Sequence, residues 1–429
     1  MDTILQVALD FVNLPRALAI GKEAVRGGVD WIEAGTPLIK SEGMEVIRTF
    51  RTHFPDHIIV ADLKTMDTGA LETEMAAKAG ADIICILGAA DDATIKDAVG
   101  SAVSYGVKIM VDLLGVPNVL ERAQHLQTFG IHYLCVHVGI DEQMMGKTPM
   151  DLVKKLSSVT NIPLAVAGGL NSETVVDVVK AGASIIIVGG AITKAEDVAL
   201  ATKNIKKAIK EKASIPSVLF KKYDDTTLFH AFSQVSTSNI SDAMHKHGAM
   251  IGITPVAEGF HIVGRALTVQ TIDGDWAKPI EAIDKASEGC ILVINVHGGT
   301  TAIWGELATW SAKIKKLGGV VIDGAVRDIK EIRRIGFPVF SRHIVPHAGE
   351  PKGFGEIGSE ISCGGQKVHT GDWIIGDDSG VVVVPLKMAL EIANRSLDIK
   401  EQENRIREEI KQGGSLGDIL KLQKWEKIG

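Results

Sequence analysis

The first 190 residues contain eight short apolar segments, and the stretches between them have the periodicity of helices. The segments are rich in Val and Ile throughout, as parallel strands are when helices cover both faces of their sheet. Eight strand–helix units in about 200 residues match a small (β/α)8 TIM barrel. The predicted strands are Leu5–Asp10, Trp31–Gly35, Ile58–Lys64, Ile83–Gly88, Lys108–Gly115, Tyr133–Gly139, Leu164–Leu170 and Ile185–Ala191. The alternative, an open doubly wound sheet, would normally carry a glycine-rich fingerprint after its first strand, where this chain has Asp10-Phe11-Val12.

The composition limits the classes of protein to which this chain can belong. Its 429 residues predict two or three domains, at roughly 150 residues per domain. The 46 basic and 53 acidic side chains give a net charge of −7, which argues against direct nucleic-acid binding and against anchoring to an anionic membrane. The four cysteines form no C-x-x-C pair, so a structural zinc site is not expected.

Targeting signals are also missing from the sequence, which predicts a cytoplasmic protein. The first ten residues carry an acid at Asp2 and no basic cluster, unlike a secretory signal. No apolar run approaches the ~20 residues that a membrane-spanning helix needs. Cys85 and Cys135 lie inside apolar runs, which is typical of buried thiols in a reducing compartment.

Polar side chains recur where the predicted barrel strands end, which is where TIM barrels carry their active sites. They are Asp10, Glu33, Asp62, Lys64, Asp67, Asp112, His137 and Asp141. Three of them form a D-x-K-x-x-D array, in which a lysine between carboxylates stays protonated and can donate to a developing oxyanion. The structural alternative is an ion pair that closes the barrel mouth, and Asp112 could serve only to support a neighbouring side chain.

Two glycine pairs follow the last two predicted strands, each before a helical stretch. They are Gly168-Gly169 and Gly189-Gly190. Exposed backbone N–H groups at this part of a TIM barrel often bind a phosphate. A pair of glycines can equally mark an ordinary turn.

The array Asp62-x-Lys64-x-x-Asp67, together with the segment V136-H137-V138-G139-I140-D141-E142-Q143, resembles the 3-hexulose-6-phosphate synthase family. This family belongs to the orotidine-monophosphate-decarboxylase-like barrels, and the resemblance covers roughly residues 1–210. It implies the joining of formaldehyde to ribulose 5-phosphate, or the reverse reaction, with Mg²⁺ or Mn²⁺ as cofactor. Making a carbon–carbon bond beside a ketone requires an enediolate, which a divalent ion and a neutral histidine can support.

The resemblance also implies a role for each matching residue. Glu33 and Asp62 would bind the metal, and Lys64 would stabilise the enediolate. Asp67 would order Lys64 and the substrate hydroxyls, in some relatives from the other subunit, and His137 would move the proton at C1. The remaining predicted site residues of the barrel are Asp10 for catalysis and Gly168, Gly169, Gly189 and Gly190 for the phosphate.

Two related barrels are alternatives. The 3-keto-gulonate-phosphate decarboxylases carry an arginine three residues after this histidine, where the chain has Ile140. Orotidine-monophosphate decarboxylase continues differently after the array, where this chain has Thr68-Gly69. Both differences favour the synthase.

A break in the sequence separates the barrel from a second domain. The predicted last barrel helix, Ala199–Lys212, is followed by Ala213–Ser217 with a proline, which places the boundary between domains 1–213 and 214–429. The second domain has strands interleaved with helices, so a smaller mixed α/β domain is predicted. Its predicted strands are Ile262–Thr271, Ile291–His297, Gly319–Asp323, Val339–Ser341, Trp373–Gly376 and Gly380–Pro385.

The polar constellation of the second domain is W304-G305-E306-L307 with Arg327-Asp328. Arginine suits a carboxylate and aspartate suits a metal ion, although a helix cap with a local salt bridge is the structural alternative. These residues resemble the family of the regulator of ribonuclease activity A and the 4-hydroxy-4-methyl-2-oxoglutarate aldolases, with a swivelling β/α/β fold, over roughly residues 228–390.

This second resemblance implies that Asp328 anchors Mg²⁺ mainly through water. Arg327 and the backbone of Gly305, Glu306 and Leu307 would hold a pyruvate-like enolate, so a 2-oxo acid is a second expected substrate class. Since the ribonuclease regulators act by protein binding, a binding or oligomerisation module is the alternative. The charged tail helix carries a sparse stripe, Ile399, Ile406 and Ile410, which we expect to pack on a neighbouring subunit of a homo-oligomer.

Overall fold

The computed structural model describes residues 3–219 and 221–422, which divide into two compact units. The first unit contains the described residues up to Lys222 together with residues 401–422, and the second is Tyr223–Lys400. The boundary predicted from the sequence, between residues 213 and 214, precedes this division. The tail segment, assigned from the sequence to the second domain, belongs by its contacts to the first unit.

The first unit is a closed barrel of eight parallel strands, in which each strand pairs with the next and β8 pairs with β1. The strands β1 to β8 are Ile4–Leu9, Trp31–Ala34, Ile58–Thr65, Ile83–Leu87, Lys108–Asp112, Tyr133–His137, Leu164–Ala167 and Ile185–Val188. The TIM-barrel prediction is therefore confirmed, and each predicted strand is present with bounds shifted by a few residues.

Helices follow the barrel strands along the chain. The helices α1 to α11 are Leu14–Arg26, Thr36–Glu42, Glu45–His53, Gly69–Ala79, Asp92–Tyr105, Val119–Leu126, Ile140–Met144, Met150–Ser157, Val175–Lys180, Gly190–Thr193 and Val198–Glu211, with a 3-10 turn at Gln127–Phe129. Successive side chains along a strand point to opposite faces, so each strand contributes residues to two cores. On β3, Ile59 belongs to the layer between strands and helices, and Val60 belongs to the barrel interior with Cys85 and Met110.

The second unit is built on a mixed sheet with the strand order β19-β18-β10-β11-β13-β14-β9. Its parallel centre, from β10 to β14, is flanked by antiparallel pairs, and β12 and β15 pair with β13 and β10. The strands β9 to β19 are Thr254–Pro255, Ile262–Gln270, Ile291–Asn295, Ala302–Trp304, Gly319–Val326, Val339–Ile344, Glu356–Ile357, Ile361–Cys363, Gln366–Val368, Trp373–Asp377 and Gly380–Val384. The six predicted strands are present, and the mixed α/β prediction is confirmed.

The second unit also contains helices, some of which begin shortly after a strand. The helices α12 to α16 are Leu228–Ser233, Thr237–Ala243, Ala277–Lys285, Glu306–Ile314 and Ile329–Ile335, with a 3-10 turn at Leu386–Met388. A capping box between Ser236 and Asn239 starts α13. In the part of the chain that the structure describes, no helix combines the length and the apolar character needed to cross a bilayer.

The tail consists of the long helix α17, Ala389–Lys411, and the short helix α18, Leu416–Leu420. The predicted stripe for a neighbouring subunit is not continuous, because Ile399 packs against a core cluster of its own chain and Ile410 is exposed. Instead, the buried residue at the end of α17 is Arg405, whose guanidinium pairs with Glu23 of α1. The local pattern of apolar residues could not reveal this, since the contact is made by a charged side chain.

Candidate active site

The carboxyl ends of the barrel strands bring together most of the predicted catalytic side chains. Asp10 follows β1, Glu33 lies in β2, Asp62 and Lys64 lie in β3, Asp112 ends β5 and His137 ends β6. Lys64 Nζ lies 2.6 Å from Asp62 Oδ2 and 3.4 Å from Asp112 Oδ2. His137 Nδ1 lies 2.8 Å from the same Asp112 oxygen. These four side chains form one continuous chain of polar contacts across the mouth.

An irregular turn of the backbone aims Lys64 into the mouth. The register of β3 against β4 shifts between Asp62 and Thr65, which marks a β-bulge. Within it, Lys64 has a left-handed backbone with φ 50°, a conformation that costs a non-glycine residue free energy. Such strain persists where surrounding contacts fix it, and it clusters at functional sites.

The ammonium group of Lys64 is held in its charged form. Although burial favours the neutral amine, the charges of Asp62 and Asp112 raise the pKa of Lys64 well above its ordinary value. This agrees with the sequence prediction that a lysine between carboxylates stays protonated. A permanently charged donor suits stabilisation of an oxyanion and does not suit attack as a free amine.

Acidic side chains crowd the mouth on the side of β1 and β2. Burial, together with the charges of Asp62 and Asp10, raises the pKa of Glu33 well above that of an ordinary glutamate. Asp10 still reaches solvent, but the concave mouth removes much of its water, and this desolvation and the charge of Asp62 raise its pKa as well. Negative charge therefore accumulates here beyond what Lys64 neutralises.

Two side chains that sequence analysis did not single out fix these acids. Gln6 is fully buried in β1 and donates from Nε2 to Glu33 Oε2 at 2.5 Å. Thr36 donates from Oγ1 to Asp62 Oδ2 at 2.8 Å. Gln6 could have been noticed as a polar residue inside an otherwise apolar strand, whereas nothing in the sequence distinguishes Thr36.

Asp112 orients His137. Although burial opposes its charge, the hydrogen bond from His137 and the charges of His137 and Lys64 hold the pKa of Asp112 below its usual value. A carboxylate that accepts from Nδ1–H fixes the tautomer of the ring and leaves Nε2 as the proton acceptor. Asp112 thus has the supporting position that was one of its two sequence interpretations.

Asp67 is not part of this cluster in its own chain. It lies beyond β3, is exposed, and its carboxylate accepts a hydrogen bond from the backbone N of Thr68 at 2.7 Å. Met66 beside it is also exposed. The third member of the array is therefore exposed and bonded to the next backbone N–H, whereas the Lys64 and Asp62 side chains contact each other.

The predicted phosphate glycines lie on the loops after β7 and β8. Gly168 and Gly169 both have positive φ, and a Cβ on Gly168 would lie 2.6 Å from the carbonyl oxygen of Val138. Gly189 lies next to the mouth, since a Cβ there would be 3.9 Å from Asp10 Oδ2. Gln143, a buried residue of α7, donates to the carbonyl of Val138 and lies against Gly169, a contact that sequence analysis missed.

The second unit brings its predicted residues together at the start of α15 and α16. The backbone N of Glu306 donates to Asp328 Oδ2 at 3.2 Å, and Arg327 Nε lies 3.5 Å from the same oxygen. A Cβ on Gly305 would lie 2.5 Å from that oxygen, so glycine permits the close approach. The side chain of Leu307 is exposed, which leaves only its backbone to serve the predicted role.

Within residues 3–219 and 221–422, no three His, Cys, Asp or Glu side chains are arranged as a ready metal cage. In the barrel, the carboxylates of Glu33 and Asp62 remain as oxygen donors for a metal ion. In the second unit, the predicted donor is Asp328. Mg²⁺ is commonly held by one or two carboxylates, with water and substrate oxygens completing its octahedron. The donor set of the barrel therefore fits a metal that substrate helps to bind.

Comparison with known proteins assigns a relative to each unit. Residues 3–205 match the family described as orotidine 5'-phosphate decarboxylase / HUMPS. The 3-hexulose-6-phosphate synthase of Bacillus subtilis strain 168 is 41% identical over 206 residues, which is 48% of this chain and 98% of that protein. The enzyme of the same name from Mycobacterium gastri is 41% identical over 205 residues, covering 48% of this chain and 99% of that protein.

Residues 237–383 match the family described as Aldolase/RraA. A solved structure of RraAS2 from Streptomyces coelicolor, an unusual member of the RNase ES inhibitor RraA protein family, is 25% identical with a TM-score of 0.39. The match covers 43% of this chain and 98% of the RraAS2 chain. Nearly the whole length of each synthase relative is matched by this chain at about 40% identity. Through its barrel, the chain belongs to the 3-hexulose-6-phosphate synthase family of lyases.

Proposed function

We propose that the barrel catalyses the addition of formaldehyde to ribulose 5-phosphate, giving 3-hexulose 6-phosphate, and the reverse cleavage. The observation that carries this proposal is the continuous contact from Asp62 through Lys64 and Asp112 to His137. It provides a charged donor and a base within one mouth, which are the two groups that enediolate chemistry needs.

The reaction begins with proton transfer. His137 Nε2 takes a proton from C1 of the ketose, and the electron pair moves toward the C2 oxygen to give an enediolate. Asp112 stabilises the imidazolium that results. C1 then forms a bond to the carbon of formaldehyde, whose oxygen receives a proton as the C2 carbonyl is restored. The charged amine of Lys64 stabilises the enediolate oxygen throughout.

A divalent cation completes this proposal. Glu33 and Asp62 would hold it, and when bound it would supply additional positive charge beside the substrate oxygens. The crowding of acids supports this assignment, because burial and the charge of Asp62 raise the pKa of Asp10 and of Glu33, and a further cation would offset both effects. Gln6 and Thr36 would orient one oxygen of each ligand, as hydrogen-bonded supports of metal ligands do.

We further propose that Asp67 serves the site of a second copy of the chain in a homo-oligomer. Its carboxylate is exposed, and Leu71 and Met75 on α4 expose apolar side chains four residues apart on one helical face. An exposed apolar patch beside an unused polar side chain is typical of a subunit interface.

Replacing Lys64 tests the chemistry of the mouth. We expect Lys64→Met to lower kcat by at least about a hundredfold, since a donor to the developing oxyanion is lost. The assay follows formaldehyde consumption with ribulose 5-phosphate. Lys207→Met, on the exposed side of α11, is the matched control and should keep full activity. Wild-type release of carbon dioxide from a keto-sugar phosphate, without formaldehyde chemistry, would instead favour the decarboxylase alternative.

Removal of the metal tests the role of the acids. Chelation should abolish activity, and Mg²⁺ or Mn²⁺ should restore it. Glu33→Gln and Asp62→Asn should each weaken Mn²⁺ binding by about tenfold or more, measured by calorimetric titration, because one of two carboxylate ligands is lost. Asp177→Asn, an exposed change on α9, is the control. Full turnover after exhaustive chelation would contradict the proposal.

Subunit complementation tests Asp67. Lys64→Met and Asp67→Asn should each be inactive, while a refolded mixture should regain activity at about a quarter of the sites, as random pairing in a symmetric dimer predicts. The reason is that each mixed dimer contains one site with an intact Lys64 from one copy and an intact Asp67 from the other. A mixture without any recovery would place Asp67 in the site of its own chain.

For the second unit, we propose a magnesium-dependent lyase acting on a 2-oxo acid. The observation that favours catalysis is the left-handed backbone of Asp328, φ 60°, which holds its carboxylate against the N–H of Glu306 beside Arg327. A guanidinium can bind the substrate carboxylate in a fork, while Asp328 would hold the metal through water. The alternative is that the unit serves as a binding or oligomerisation module.

Oxaloacetate decarboxylation with Mg²⁺ decides between these two roles. We expect pyruvate formation, and a loss of about a hundredfold or more in Asp328→Asn and Arg327→Met, since both would contact the reacting group or its metal. Arg334→Met, exposed on α16, is the matched control. Absence of turnover with any 2-oxo acid would favour the module, and activity unaffected by Asp328→Asn would show that the site lies elsewhere.

A further inference from the structure

Arg405 is a buried arginine of the tail helix α17. Its side chain is 4% exposed, and Nη1 donates to the backbone carbonyls of Ala195 at 3.2 Å and of Glu196 at 3.1 Å. Nη2 donates to Glu23 Oε1 at 3.1 Å and Nε to Glu409 Oε1 at 3.0 Å. Each nitrogen of the guanidinium therefore has an acceptor, as a buried charge requires.

The two carbonyls belong to the segment that follows β8. Gly189 follows the strand at the mouth, Gly190 begins the single helical turn α10, and Ala195 and Glu196 connect this turn to α11. Ala195 is itself buried, at 2% exposure. Because only four residues separate Gly190 from Ala195, holding the latter restrains the backbone of the glycine pair.

A second arginine, Arg16 of the barrel, also binds the tail. Glu409 accepts from Arg405 and also lies 3.1 Å from Arg16 Nε at the start of α1. The guanidinium groups of Arg405 and Arg16 are thus balanced in charge by the two carboxylates of Glu23 and Glu409. Removal of one member of a buried ionic network leaves its partners without compensation, so the network favours one geometry.

The synthase relatives are about as long as the barrel domain alone. The Bacillus subtilis enzyme uses 98% of its length in aligning 206 residues, which the barrel domain accounts for. In this chain, the described residues 401–422 follow the second unit in sequence and still belong to the barrel by their contacts. The Arg405 contact is thus made by a segment that lies beyond residues 3–205, the part of the chain that the barrel family matches.

We propose that Arg405 is a positioning residue for the substrate phosphate, acting through the carbonyls of Ala195 and Glu196 on the Gly189-Gly190 loop. This inference rests on the proposed function, which assigns the phosphate to that loop. The ligand chemistry is a phosphate monoester dianion, and inorganic phosphate is its simplest probe. The tail of the chain therefore contributes to substrate affinity in the barrel without touching substrate.

The test compares Arg405→Met with Arg407→Met in the full chain. Arg407 is exposed two residues away on the same helix and donates to Asn404 within that helix, so it is a matched control. In Arg405→Met we expect KM for ribulose 5-phosphate and the inhibition constant of inorganic phosphate to rise together by about tenfold. At saturation kcat should stay within about twofold of wild type, since Lys64 and His137 are unaffected.

A second readout detects the loop directly. Amide hydrogen exchange of residues 189–197 should be faster in Arg405→Met than in Arg407→Met, because the restraint on their backbone is lost. If Arg405→Met does not fold, Glu23→Gln, which removes one acidic partner, should give a smaller change in the same direction. Unchanged KM, phosphate inhibition and exchange in the folded variants would overturn the inference, as would a fall in kcat alone.

Failure of the proposed function can be distinguished from failure of the inference about Arg405. In that case the wild-type chain would not turn over formaldehyde with ribulose 5-phosphate. Calorimetric titration with inorganic phosphate needs no turnover, and it would still report whether Arg405→Met weakens phosphate binding relative to Arg407→Met. Equal phosphate affinity in both variants would refute the role of Arg405 whatever the reaction.

Discussion

The ammonium group of Lys64 between Asp62 and Asp112 is the interaction on which the barrel mouth depends. Buried carboxylates repel one another, and each is costly without a partner. Lys64 attracts both neighbours, and its charge also opposes the rise in the pKa of Glu33 and Asp10 that burial and the neighbouring acids produce. One positive charge thus makes an acidic mouth compatible with a folded barrel, while the remaining excess of negative charge leaves it suited to a further cation.

The sequence predicts the position of this mouth because the barrel strands are apolar and short. Each polar residue that ends a strand stands out against Val and Ile, and parallel strands bring their carboxyl ends to one edge. Lys64 shows the limit of that reasoning. Period-two alternation predicts that it shares a side with Asp62, and it does, but by means of a bulge and a left-handed backbone. Nothing in a linear pattern signals such a turn.

Contacts between residues distant in sequence explain what could not be predicted. Arg405 and Arg407 are indistinguishable in a run of charged residues, yet one is buried against Glu23 and the other is exposed. The choice depends on which carbonyls lie opposite the helix, and those carbonyls belong to residues some two hundred positions earlier. Asp67 differs again, because its neighbours in the array contact each other while its own carboxylate is exposed and bonded to the backbone N of Thr68.

The two candidate sites share one backbone feature, a charged residue in a left-handed conformation. A left-handed backbone is ordinary for a non-glycine residue that ends a helix, as Lys212 does. Lys64 lies inside a strand and Asp328 lies two residues beyond one, and both have positive φ. In each case the unusual backbone turns a charged side chain back toward the edge where parallel strands end. Since that conformation costs free energy at a lysine, its contacts with Asp62 and Asp112 must offset the cost, which links the geometry of the site to the stability of the barrel.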